Sequence, residues 1–503
     1  SFHKPGEHSK SFTESAYAGM VNAYSTTFAS NFSYCSDSNG YWRFTPLESF
    51  INAGHPSIYV LTHPEWWTPR AMAPRAGGGQ RLSWQITTSA CNAPDERMSG
   101  KAALRSGHSE TRTGNDHMDK PQRQIAISLP STGEEEWLAC REPLSNGWLT
   151  QGPKVAAFEK AFAERHAVRH ALAVTSCTTG LHLMLAAAGI GPGDEVIVPA
   201  FTWIATANVV VYCGATPVFA DVDPRSFNIC PLDVRRRVTS KTKAVIAVHL
   251  FGLCADMDAL RAAIPSHVRI FEDAACAAGA TYRGTPAGAL GDAASFSFHP
   301  RKSITTGEGG MVTTNDDGAA DLMNKLRNHG ASISEEQRHH GPAPYLLPEF
   351  NLLGFNYRMT DLQGAVGLVQ LGKLDHFIQE RSRAAAFYAE NLAGVDWLEI
   401  PEPPSDGQHA WQAYVTKVHP DRAPMPRNAI MERLQGLGIS TRPGTHAVHM
   451  LGYYRERFGL APDDFPGAKS CNDNTMAIPL HNRMTREDYE YVVAALRGIG
   501  SPV

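Results

Sequence analysis

From about Gln124 onward, short continuous apolar runs alternate with segments of helical composition. This alternation constrains the fold more than any other feature of the chain. Strand-like runs stand at Ala171–Thr175, Glu195–Pro199, Pro217–Ala220, Ala244–Val248 and Val268–Phe271. Between them lie helical stretches, the first from Thr178 to Ala188 and the second ending near Asn208, and Gly191-Pro-Gly-Asp194 marks a turn. Runs that are apolar at every position belong to strands covered on both faces. Strands that alternate with helices build a mostly parallel sheet. The expected fold is therefore α/β, a mostly parallel central sheet with helices on both faces, over residues 123–375. A long helical stretch from Asp361 to Asn391 is followed by mixed elements, which predicts a smaller α+β domain over residues 376–503.

The first 122 residues have another texture. Residues 1–70 are rich in aromatics, among them Tyr34, Tyr41, Trp42, Phe44, Tyr59, Trp66 and Trp67, and Ser57–Thr62 reads as a short buried strand. Residues 71–122 are polar, with Trp84 as their only aromatic, and hold too little apolar surface to offset ordering. They read as a mostly disordered linker. Lys plus Arg is 46 against 50 for Asp plus Glu, a net charge of −4 that excludes a general nucleic-acid binder. No apolar run reaches the ~18–20 residues of a membrane span. The opening SFHKPGEHSK has neither the apolar core of a secretory leader nor an initiator Met, so neither a signal peptide nor a natural start is expected. Nine cysteines without a CxxC pair predict reduced thiols, no structural zinc or other metal, and a cytoplasmic location.

In open α/β sheets, ligands sit at the carboxyl ends of the strands. After Thr175 comes Ser176-Cys177-Thr178-Thr179-Gly180, which reads either as an ordinary N-cap or as an anion cup at a helix start. After Ile270 come Glu272 and Asp273, acids that need partners if buried. They are caps, salt-bridge partners or site residues. After the run Ser295–Phe298 comes His299-Pro300-Arg301-Lys302, with a Gly-rich turn beyond. Lys302 is a loop lysine or a Schiff-base lysine, whose pKa burial and the cations His299 and Arg301 would lower. Together, a phosphate cup, an acid for a pyridine nitrogen and an imine-forming lysine are what pyridoxal 5'-phosphate requires of a protein.

From about residue 124 to 500 the chain resembles the sugar aminotransferases of the DegT/DnrJ/EryC1/StrS family, of the fold-type I aminotransferase architecture. The resemblance rests on Gly147–Lys154, Ala200-Phe-Thr-Trp-Ile-Ala-Thr-Ala-Asn208, Glu272-Asp-Ala-Ala275, Ser297-Phe-His-Pro-Arg-Lys302 and Asn356-Tyr-Arg-Met-Thr-Asp-Leu-Gln363, in that order. It implies an aminotransferase acting on a nucleotide-linked keto-sugar, with glutamate as amino donor, in polysaccharide or glycoconjugate biosynthesis. Lys302 would hold the cofactor and shuttle a proton, and Asp273 would keep the ring nitrogen protonated. Trp203 would stack on the ring, and Ser297, Cys177 and Thr178 would bind the phosphate. Asn356 would reach the phosphate of a neighbouring subunit, so active sites would be shared across a homodimer, while Arg358 reads alternatively as a brace for its loop. His446 would face the sugar nucleotide. His299 and Arg301 are substrate neighbours or structural residues.

Two positions depart from the family's pattern. Cys177 stands where glycine is usual, and Cys276 where glutamine or histidine is usual near the ring hydroxyl. Lys302 itself favours transamination over the family's dehydratase branch, which carries histidine there, and an intact Lys302/Asp273 pair speaks against a non-catalytic sugar-nucleotide sensor. The segments Tyr34–Trp42 and Leu61–Trp67 resemble the end of a polysaccharide-deacetylase-like protein, with His63 as a metal or catalytic position of such a domain. About 70 residues are too few for a barrel of ~200 or more. This part reads as a remnant or fusion without independent activity, dispensable for transamination.

Overall fold

The computed structural model describes residues 123–333, 345 and 347–499 and, before them, the backbone of five short strands. The chain divides into two compact units, Ser1–Arg112 and Thr113–Val503. In the first, Ser33–Ser38 pairs in parallel with Ile58–Leu61 and antiparallel with Tyr41–Trp42, so the strand expected at 57–62 is present. Ala16–Tyr17 and Met20–Val21 form a separate antiparallel pair. The linker expected at 71–122, and His63, lie outside the described residues.

The second unit is built on a seven-stranded sheet: β1 (His170–Val174), β2 (Glu195–Pro199), β3 (Thr216–Ala220), β4 (Thr242–Val248), β5 (Arg269–Asp273), β6 (Ala293–Ser297) and β7 (Gly310–Thr314). Their spatial order is β1-β7-β6-β5-β4-β2-β3. Every neighbouring pair is parallel except those of β7, which runs antiparallel to both β1 and β6. The apolar runs have the expected cause. In β4, Ala244, Ile246 and Val248 enter one core cluster while Val245 and Ala247 enter the cluster on the opposite face. In β2, Val196, Ile197 and Val198 are all fully buried. A strand sandwiched in this way has no face left for polar residues.

Helices cover both faces. α1 (Pro153–Arg165) starts with Pro at its first turn and buries Val155, Phe158 and Phe162, a spacing that puts them on one stripe. Each buried aromatic there contributes roughly 2–3 kcal/mol, and Phe158 and Phe162 both pack on Phe298, beside the Lys302 loop. α2 (Cys177–Ala187) follows β1, and α3 (Ala205–Tyr212) follows β2, running four residues beyond the expected end. α4 (Asp317–Leu326) follows β7. α5 (Asp361–Leu392) is the expected long helix, started by a capping box between Thr360 and Gln363. Its first half packs with α1, and its last turns give Ala384, Ala385, Tyr388 and Leu392 to a further core. That core joins an antiparallel sheet, Leu398–Glu399, Tyr414–Val418 and Thr475–Ile478, with helices Arg427–Gly436 and Arg486–Arg497, the α+β arrangement anticipated for the C-terminal part. Among the described residues, no helix is long and apolar enough to cross a membrane, and the seven cysteines are free thiols.

Candidate active site

Because β7 is reversed, its first residue lies at the same end of the sheet as the last residues of the other strands. Ser176, Trp203, His249, Asp273, Ser297 and Gly310 therefore gather along one edge, where an open α/β sheet binds ligands.

The anion cup forms at the start of α2. Ser176 caps the helix by accepting from the Thr179 N–H, and the Thr179 hydroxyl accepts from the Ser176 N–H. The N–H groups of Cys177 and Thr178 have no partner within the described residues, as first-turn donors often do. Two glycines allow this helix to come so close. A Cβ on Gly180 would collide with the Ser295 hydroxyl, and one on Gly310 would lie 2.5 Å from the Ser176 carbonyl carbon and 2.7 Å from the Cys177 nitrogen. The Cys177 side chain turns away from the cup into the interior. Its sulfur lies 3.4 Å from the Ser295 carbonyl oxygen and 3.8 Å from Asp273 Oδ1, and burial, then the Asp273 charge, pushes the thiol pKa up. A side chain at this glycine-like position is accommodated because it points inward.

Asp273 ends β5, 5% exposed. Its Oδ2 accepts from the Thr206 hydroxyl at 2.8 Å and its Oδ1 from the Ala275 N–H at 3.2 Å. The preceding Glu272, on the other face of the sheet, is fully buried. It accepts from His249 Nε2 at 2.8 Å and from the N–H groups of Gly288, Leu290 and Gly291 at 2.7, 2.8 and 2.6 Å. His249 Nδ1 accepts from the Ala255 N–H, which fixes the proton on Nε2. The His249 N–H also donates to the Asp273 carbonyl.

Lys302 follows β6 and sends Nζ inward to 3.2 Å from Cys276 Sγ. Burial alone would lower its pKa, but Cys276, then Cys177 and Asp273, outweigh that and hold it above the ordinary lysine value. This corrects the sequence expectation of a depressed amine. Of the expected cations, Arg301 is exposed, and His299 is half-buried with its ring accepting from the Arg301 N–H. Burial, then Arg301, lowers the His299 pKa. The Arg301 carbonyl accepts from the Gln412 amide, so both residues brace the loop that carries Lys302. Ser297 is partly exposed beside the cup, its hydroxyl accepting from the His299 N–H at 3.4 Å.

Trp203 is 56% exposed and meets His446 edge to face at 5.6 Å. The two are brought together by a ribbon in which Phe201–Thr202 pairs antiparallel with His446–Ala447. Asn356 is exposed, bridged through its backbone to Asn328, and Arg358 donates to the Asn328 side chain at 2.6 Å, the bracing alternative. Thus Cys177, Thr178, Asp273, Ser297 and Lys302 converge, Trp203 and His446 stand at the rim, and Asn356 is turned outward. Thr206 and His249 were not anticipated. The signals were Thr202 and Thr206 four residues apart at a helix start, and a histidine directly after the apolar run Ala244–Val248.

These groups fit pyridoxal phosphate: a half-buried, inward-pointing amine for its aldehyde, a carboxylate for its nitrogen, and two N–H groups without a partner among the described residues, with hydroxyls, for its phosphate. The model of the DegT/DnrJ/EryC1/StrS aminotransferase family matches residues 130–497. The spore coat polysaccharide biosynthesis protein SpsC of Bacillus subtilis is 40% identical over 384 residues, 76% of this chain and 98% of SpsC. The GDP-perosamine synthase of Caulobacter vibrioides is 40% identical over 376 residues, 74% of this chain and 97% of that protein. Among solved structures, Helicobacter pylori PseC, an aminotransferase involved in the biosynthesis of pseudoaminic acid, superposes with a TM-score of 0.70 at 27% identity, covering 75% of this chain and 99% of PseC.

Proposed function

The chain belongs to the DegT/DnrJ/EryC1/StrS aminotransferase family, and from that premise we propose how its own residues divide the work. The protein is a pyridoxal-phosphate-dependent aminotransferase that converts a nucleotide-linked keto-sugar into an amino-sugar. When bound, pyridoxal phosphate supplies the electron sink through which an amino group passes from a donor to the sugar carbonyl. Lys302 Nζ would hold the cofactor covalently, and its free amine would move the proton that the reaction shifts. Asp273 faces the ring nitrogen and keeps its proton in place. The N–H groups of Cys177 and Thr178, with the Thr178 and Ser297 hydroxyls, bind the phosphate at the positive end of α2. Trp203 would stack on the ring and keep water from it, and His446 would orient the sugar nucleotide beside it. His299 and Arg301 act through the loop they brace. Glutamate is the amino donor, and the working unit is a homodimer in which the exposed Asn356 reaches the neighbouring site's phosphate.

One observation carries this reading: a half-buried lysine whose amine has a thiol and the strand-end carboxylate Asp273 as neighbours, beside a helix start whose donors have no partner within the described residues. Borohydride reduction of the loaded enzyme followed by peptide mapping tests it. The adduct is expected on Lys302, and Lys302→Ala abolishes turnover. An adduct on Lys243 or Lys325 would end the assignment.

A further inference from the structure

The buried hydroxyls behind Asp273 have a defined direction. Thr206 is fully buried and Thr202 is 1% exposed. Thr206 Oγ1 lies 2.8 Å from Asp273 Oδ2 and 3.0 Å from Thr202 Oγ1. A carboxylate only accepts, so the single Thr206 proton goes to Asp273. The Thr202 hydroxyl must then donate to Thr206. The result is a one-way chain, Thr202 to Thr206 to Asp273. Its outer member belongs to the ribbon that pairs with His446. The charged and titratable groups facing the same carboxylate are Cys177 from α2, and Lys302 with Cys276 beside it.

We infer that Thr206, backed by Thr202, is a positioning residue that holds the Asp273 carboxylate in its charged form against the cofactor's ring nitrogen. This rests on the assignment of Asp273 above. A donor to the charged form favours that form over the protonated acid. With the donor in place, the shared proton stays on the ring and the ring remains a strong electron acceptor. Without it, the proton moves toward the carboxylate. The ring then loses its positive charge, and the Lys302 nitrogen nearby keeps its own proton to higher pH.

Thr206→Val is nearly isosteric and removes the donor to Asp273 together with the acceptor of the Thr202 hydroxyl. The near-visible absorbance of the loaded variant, titrated with pH, is expected to have its midpoint about half a unit or more above the parent's. Its kcat is expected to fall roughly tenfold to a hundredfold, the scale of a hydrogen bond to a charged group, with KM for the amino donor little changed. Thr206→Ser restores both. Thr202→Val moves the midpoint in the same direction by less, and it decides the matter alone if Thr206→Val does not fold. A Thr206→Val enzyme with midpoint and kcat within twofold of the parent overturns the inference. So does a fall in kcat with an unmoved midpoint and no rescue by serine, or an unmoved midpoint in Thr202→Val. Failure of the underlying assignment is separate: the reduced adduct would map away from Lys302 in the parent enzyme, or Asp273→Asn would leave it unimpaired.

Discussion

Glu272→Gln is expected to cost far more than its one-atom change suggests. The native carboxylate accepts four hydrogen bonds, one from His249 Nε2 and three from the N–H groups of Gly288, Leu290 and Gly291. Glutamine brings one acceptor oxygen and one donor NH2. If its oxygen faces Leu290 and Gly291, its NH2 confronts Gly288 and His249; turned over, it confronts Leu290 and Gly291. Either way two buried donors lose their acceptor. His249 cannot relieve the conflict by moving its proton, because its Nδ1 would then point N–H at the Ala255 N–H. At about 1–3 kcal/mol per orphaned buried donor, the loss is roughly 2–6 kcal/mol. Equilibrium urea denaturation of the cofactor-free protein, followed by circular dichroism at fixed protein concentration, measures it as a lower midpoint at unchanged slope. A loss under about 1 kcal/mol would show that the network is not saturated as its geometry implies.

Two further outcomes follow from the same buried groups. Asp273→Asn keeps shape but not charge, and turnover is expected to drop at least ~10²-fold with the fold intact by circular dichroism, the scale for one preorganised electrostatic partner; activity within a few-fold of the parent would mean that another acid holds the ring. His166 is fully buried, stacked on Phe162, and burial pushes its pKa down to about 4, so the unfolded chain binds its proton first. Its contribution is complete above the unfolded value of about 6.5 and is lost as pH falls toward 4, roughly 3 kcal/mol in all; His166→Phe should flatten the fall of the denaturation midpoint between pH 7 and 4, and an unchanged slope would contradict this.

The strands that were legible are those whose burial is purely apolar. Val196, Ile197 and Val198 leave a run that composition alone identifies. β7 was not legible, because its sequence Gly-Met-Val-Thr-Thr includes two threonines. Both are buried nonetheless, their hydroxyls donating at 2.8 Å to the carbonyls of Gly288 and Asp292. A side chain that carries its own solution to burial looks like a loop residue in sequence. The positions of Lys302 and Asp273 were legible, because both follow or end apolar strands, where such folds place chemistry. The Lys302 surroundings were not. The cations expected from the chain, His299 and Arg301, do not set its pKa, and the neighbour that does, Cys276, comes from 26 residues earlier. Thr206, 67 residues before Asp273, leaves no periodic trace of the contact either.

Glu272 and Asp273 are adjacent, acidic and buried, and sequence cannot say which of them is free to act. Successive strand residues point to opposite faces, so the two carboxylates lie in separate environments. A carboxylate offers about four acceptor sites. Glu272 has filled four with the His249 ring and three backbone N–H groups, and a further donor would have to displace one of them. Asp273 accepts from Thr206 and Ala275 within 3.2 Å, and the Cys177 sulfur stands off at 3.8 Å. It therefore retains capacity for one more donor while remaining oriented on both oxygens. That difference in saturation fits Glu272 to holding the end of β5 in place and supports the proposal that Asp273 meets the ring nitrogen. It also makes the two substitutions above distinct in kind: Glu272→Gln is expected to move stability, and Asp273→Asn to move the rate.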